Sequence, residues 1–119
     1  MKARILSEQG QKDEADAEIA IALKLDADSY EVNRSAGYLN YRARKLDDAI
    51  RYYERSAELM ETDINSPSML IGCYAARGET RQTQRVAQIA LSRAEKLLSL
   101  DQNNDRGLGD AADALAALK

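Results

Sequence analysis

The feature that most constrains this chain is that it matches itself. The stretch "KDEADAEIAIALKLD" covers residues 12–26 and "KLDDAIRYYERSAELM" covers 45–60. With a shift of 34 residues, Asp13 falls on Asp47, Ala15 on Ala49, Ile19 on Tyr53 and Leu25 on Leu59. Small positions meet small ones and large apolar positions meet. A period of about 20–50 residues belongs to solenoids, whose units bury their apolar faces only by stacking on neighbours.

The residue types point to helices within each unit. Of the 119 residues 45% are hydrophobic, enough to build a core, and only one is proline. Ala, Leu, Glu, Arg and Gln are plentiful and turn chemistry is sparse, so helix is favoured throughout and sheet is not. The length fits one domain or a slice of a longer solenoid.

Apolar spacing and breakers divide the chain into about seven helices. Residues 3–9 read as the end of a helix broken at Gly10, and 11–25 restart with Ala15, Ile19, Ala22, Leu23 and Leu25 on one stripe. "DADS" at 26–29 closes that helix and offers a cap for the next, which runs from Tyr30 to about Ala43. Another runs to about Met60 with Leu46, Ala49, Ile50, Tyr53, Ala57 and Leu59 inward. In "ETDINSP", Ser66 is expected as the N-cap, with Pro67 opening the helix that Gly78 ends. Residues 80–100 form a longer helix with Val86, Ala87, Ala90, Leu91, Ala94, Leu97 and Leu98 inside. A last helix follows "DQNNDRG". The expected units are 1–29 (truncated), 30–63, 64–104 and 105–119 (truncated), all within one domain spanning 1–119.

This phased set resembles the tetratricopeptide repeat family, over nearly the whole chain. That pattern wants a small residue in the first helix of each unit, then an alanine, an aromatic and a second small residue in the second helix. Residues 30–63 supply Gly37, Ala49, Tyr53 and Ser56, with Leu46 in an apolar slot. Residues 1–29 supply Ala3, Gly10, Ala15, Ile19 and Ala22, and Gly72 and Tyr74 fit the third unit. The family's tryptophan is missing, with Asn33 in its place, and the third unit's second helix is about six residues too long. The resemblance implies a right-handed superhelix of antiparallel helix pairs. The long second helix is also similar to repeat regions of bacterial class III adenylate cyclase-like signalling proteins, which would make the chain an excised piece.

The residues offer no constellation for catalysis. Tyr53 falls on the packing aromatic position, while Tyr52 turns about 100° away and is expected half exposed. Cys73 has no histidine to act as base and no second cysteine to share a metal. Asp47–Asp48 and Asp101–Asp105 lack the spacing and glycine of a calcium loop, and acidic residues at helix starts have a dipole explanation. Gly107 and Gly109 follow no strand. The chain is therefore read as neither an enzyme nor a holder of metal or cofactor.

Binding is the remaining class. The resemblance implies a concave groove lined by the first helix of each unit. Carried onto this sequence, the lining is Glu31, Arg34, Tyr38, Tyr41 and Arg42, then Ser66, Met69, Cys73, Ala76 and Arg77, with Arg4, Ser7 and Glu8 from the first unit. Of these, Arg34, Tyr38, Tyr41, Arg42, Met69, Cys73 and Arg77 are the candidate contacts for a protein or peptide. Tyrosine and arginine bring area and donors at little ordering cost. A solvated face is the plain alternative reading. The lysine–asparagine set that grips a C-terminal carboxylate in some members is absent, with Arg34 and Tyr38 where it would begin.

A net charge of −3 argues against general nucleic-acid binding. No apolar run is long enough to cross a membrane or act as a signal peptide, and cytoplasm is the default compartment. The first expectation is a peptide- or protein-binding module. The alternative is a structural region that packs on a neighbouring catalytic domain, or forms a homodimer through exposed terminal helices.

Overall fold

The computed structural model describes residues 2–119, with side chains from Gly10 onward apart from Lys12. Six helices follow one another: α1 (Lys2–Leu25), α2 (Tyr30–Arg42), α3 (Leu46–Leu59), α4 (Asn65–Ala76), α5 (Thr80–Leu100) and α6 (Asp105–Leu118). Each packs on the next along the chain, and α4 also touches α6. The architecture is an all-α solenoid of helix pairs, and no described helix is long and apolar enough to cross a membrane.

Local chemistry sets most of the boundaries. Ser29 caps α2 by accepting the Val32 N–H at 3.3 Å, and Asn104 caps α6 by accepting that of Gly107 at 2.8 Å. Each supplies an acceptor to a helix start that has no intrahelical one. Gly78 leaves α4 at φ 71, the left-handed conformation that glycine adopts without a Cβ penalty. Arg44 takes φ 62 between α2 and α3, a conformation unfavourable for a residue with a Cβ.

Four expectations are corrected. The helix does not break at Gly10; α1 is continuous, so there are six helices where seven were expected. Glycine inside a helix costs only about 1 kcal/mol, and no turn chemistry flanks this one. Ser66 is not the cap of α4. The Asp63 carboxylate accepts the Ser66 N–H at 3.3 Å instead, while the buried Ser66 hydroxyl lies 2.6 Å from that of Ser56. Pro67 therefore sits two residues deeper in the first turn, where its missing N–H still leaves no helical bond unmade. Leu25, placed on the inner stripe of α1, is 84% exposed. Gly72, read as the small packing residue of its unit, has nothing within 4 Å of where a Cβ would sit.

The core centres on Tyr53 with Ala49, Ile50, Leu70, Cys73, Tyr74 and Val86. Leu46, Met69 and Ile71 pack around it. Tyr53 fills the space beneath α2, as its place in the sequence repeat implied. A Cβ built on Gly37 would lie 2.9 Å from the Tyr53 ring, so α2 can rest on that ring only because residue 37 has no side chain. Farther along, alanine does the packing: Ala87, Ala90, Ala94 and Ala114 are fully buried. Small side chains let helix axes approach closely.

One contact ties the two central pairs together. Arg93 of α5 donates to the carbonyls of Ala57, Met60 and Asp63 at 2.9, 3.1 and 2.8 Å. Those carbonyls belong to the end of α3 and the loop after it, where helical partners have run out. Arg93→Met keeps the aliphatic stem and removes the donors. It is expected to cost on the order of 2–3 kcal/mol in urea unfolding, with Arg93→Lys recovering only part. The glycines make a second, paired test. Gly37→Ala is expected to lower stability by about 1–3 kcal/mol through the displaced Tyr53 ring. Gly72→Ala should raise it by up to about 1 kcal/mol through helix propensity alone.

Candidate functional site

The face of α2 turned away from α3 carries Glu31, Arg34, Tyr38, Tyr41 and Arg42, all exposed. They share a face because residues three and four apart on a helix lie one above another. Tyr38 is 50% exposed and Tyr41 41%, high values for such large rings. The Arg34 guanidinium lies 5.9 Å from the Tyr30 ring centroid and that of Arg42 lies 5.8 Å from the Tyr38 ring. Each cation is thereby held over a ring, at a distance where the ring's quadrupole attracts it.

Beside this face opens a cavity of about 550 Å³. Arg34, Ser35, Tyr38 and Leu39 line it from α2, Ala15, Glu18 and Ile19 from α1, and Asn65 and Met69 from α4, with Tyr53 reaching in from α3. Its lining is mainly apolar, with charged groups standing at its edges. That composition suits the side chains of a protein segment better than a reaction, because no nucleophile and base face each other. Among the described residues, no group of three or more His, Cys, Asp or Glu could hold a metal ion.

The candidate residues divide by position. Arg34, Tyr38 and Met69 meet at the cavity, while Tyr41 and Arg42 continue the same face of α2 beyond it. Cys73 is corrected: it is fully buried in the core and cannot touch a partner. Ser66, carried into the groove with it, is also fully buried. From α4 the cavity is lined by Asn65 and Met69, with Gly72 and Ala76 exposed farther along the helix. Arg77 is exposed but engaged elsewhere, 2.7 Å from Asp47 and 3.4 Å from Glu79. Of the three candidate arginines, Arg34 and Arg42 therefore remain together on this face. The side chains of Arg4, Ser7 and Glu8 lie outside the described residues.

Sequence reasoning missed Glu18, Leu39 and Asn65 as lining. Ile19 was read as packing and does both. The usable signal was the interval from Asn65 to Met69, which matches that from Arg34 to Tyr38. Tyr52 is half-buried as expected, with Arg51 4.7 Å from its ring centroid. On the opposite side of the core, Tyr74 donates to Glu54 at 2.9 Å, and Arg85 pairs with the same carboxylate. Burial and this contact with Glu54 push the Tyr74 phenol up to about 12, and burial does the same for Tyr53. Both are packing groups that stay neutral.

No protein-family model matches the sequence, and neither does any curated protein. The fold does have a match. It is similar to PcrH, solved in complex with the chaperone binding region of PopD, at a TM-score of 0.75 and 17% sequence identity. The likeness covers 94% of this chain and 79% of PcrH. The chain therefore has a tetratricopeptide-like solenoid fold. The narrower likeness to cyclase-associated repeats gains no support.

Burial raises the Cys73 thiol above its ordinary value, which lowers the thiolate fraction at any given pH. The native protein is expected to react with a thiol-directed disulfide reagent at least tenfold more slowly than the urea-unfolded chain. Equal rates would put Cys73 back at the surface.

Proposed function

We propose that this protein is a protein–protein interaction module that holds a peptide or an extended segment of a partner in the groove between α1, α2 and α4. The observation that carries this reading is the open, largely apolar cavity floored by Ile19, Leu39, Tyr53 and Met69 and edged by Arg34 and Tyr38. Binding there needs no rearrangement of the core, and a preformed pocket avoids part of the ordering cost of association. The likeness to PcrH, whose crystal structure holds a region of PopD, supports the same reading. On our reading the protein needs no catalysis, no cofactor and no nucleic-acid partner. We place it in the cytoplasm, where a lone thiol stays reduced.

A specific observation favours a second reading, self-association. Leu100, Leu108 and Leu115 are 87%, 51% and 50% exposed, the last two a heptad apart on α6. A second copy, or a neighbouring domain, could cover them.

The two readings separate experimentally. Peptides selected on the protein from a random display library are expected to lose at least tenfold in affinity for a Tyr38→Ala, Met69→Ala variant of unchanged helicity. Peptides that bind both forms equally would place the interaction outside the groove. A light-scattering mass that rises with concentration, and falls back in a Leu108→Lys, Leu115→Lys variant, would favour self-association.

A further inference from the structure

We infer that the groove selects an acidic segment, with two carboxylates four residues apart flanking an apolar side chain. This rests on the groove reading and adds the chemistry of the occupant.

The first observation is how the arginines are partnered. Arg51, Arg55, Arg77, Arg85 and Arg106 each form an ion pair with a carboxylate. Arg93 is spent on backbone carbonyls. Among the described residues Arg34, Arg42, Arg44 and Arg81 show neither, and of these four Arg34 and Arg42 share one face of α2, each lying over a tyrosine ring. In a chain of net charge −3, acidic side chains are plentiful, yet among the described residues none forms a direct ion pair with either of these two cations. Their positive field stands open to whatever enters beside α2.

The second observation is spacing. Eight residues of helix separate Arg34 from Arg42, about 12 Å along the axis at 1.5 Å per residue. An extended segment rises about 3.3 Å per residue, so its residues i and i+4 lie about 13 Å apart and point to the same side. The residue between them at i+2 points that way too. A segment Glu-x-Leu-x-Glu running along α2 would set one carboxylate at each guanidinium and its leucine toward Tyr38 and the apolar cavity. Arginine suits this role because its fork gives two parallel hydrogen bonds to a carboxylate.

Three protein carboxylates bear on this face. Glu31 is exposed on α2 itself, three residues before Arg34. Glu18 lines the cavity on the α1 side and opposes an acidic occupant, which fixes the segment close to α2. Asp63 is buried, caps the start of α4 through Ser66, and raises the Tyr30 phenol after burial itself has done so. Arg34 acts on the same phenol in the opposite sense, so Asp63 offsets Arg34 in part and leaves Arg42 open.

The test uses three fluorescent nine-residue peptides that share a central leucine. The first has Glu at both flanking positions, the second Gln and the third Lys. By anisotropy at low salt the Glu peptide is expected to bind at least tenfold tighter than its Gln twin, and the Lys peptide weakest. The gap should close at high salt, since screening acts on charges at the surface. Arg34→Gln with Arg42→Gln should bring the Glu peptide down to the level of the Gln twin. Glu18→Gln, which removes a repulsion, should tighten the Glu peptide about twofold and leave the order unchanged. If the Glu and Gln peptides bind the parent equally, charge selection is overturned while the groove reading stands. If none of the three binds, and display-selected peptides do not bind in the groove either, both fall. A Glu preference that survives in the folded double variant would also overturn the inference.

Discussion

The solenoid depends on one guanidinium. Arg93 stands in the middle of α5, yet it completes α3, by donating to Ala57, Met60 and Asp63 just where that helix runs out of its own donors. A helix end buried between neighbours needs partners for its last carbonyls, and a cation there also opposes the negative end of the helix dipole. The contact holds the α3–α4 loop, and that loop carries the Asp63 carboxylate that begins α4. From α4 comes Met69, and with it one wall of the groove. Energetics at the back of the molecule thus positions a residue at the front.

The other necessity is the absence of side chains where helices cross. Gly37 against Tyr53 is the tightest case, and the fully buried Ala87, Ala90, Ala94 and Ala114 repeat the theme. Dispersion over many close contacts, rather than large apolar residues, supplies much of the cohesion here. This explains how a chain with no phenylalanine or tryptophan builds a core. It also separates core from groove, because the tyrosines not needed for packing, Tyr38 and Tyr41, stay at the surface of α2.

Much of this was legible in the residues. The self-match placed Tyr53 and Ala49 inside before any coordinate was known, and the α5 stripe from Val86 to Ala94 was read correctly. The failures have physical causes. Gly10 looked like a break because glycine ends helices by adopting positive φ, as Gly78 does, but nothing local requires a turn at residue 10. On α4 the family pattern turned Cys73 and Ser66 toward the groove, where the structure buries both in the core. The side-chain cap from Asp63 lets that helix begin two residues earlier than Ser-Pro suggests, and each residue along a helix turns about 100°. Arg93 could have been found. It interrupts the spacing Val86, Ala90, Leu97 with a charge on an otherwise apolar face, and a charge that is half-buried there calls for partners.

The first helix has a different standing from the rest. None of the described side chains of α1 is buried, and its principal neighbour is α2, yet Ala15, Glu18 and Ile19 form one side of the cavity. Elements with few buried contacts open at the smallest free-energy cost. The groove thus has two kinds of wall: α2 and α4 are tied into the core through Gly37, Leu70 and Cys73, whereas the described side chains of α1 are not. On the proposed function, α1 is the wall that an occupant would displace first.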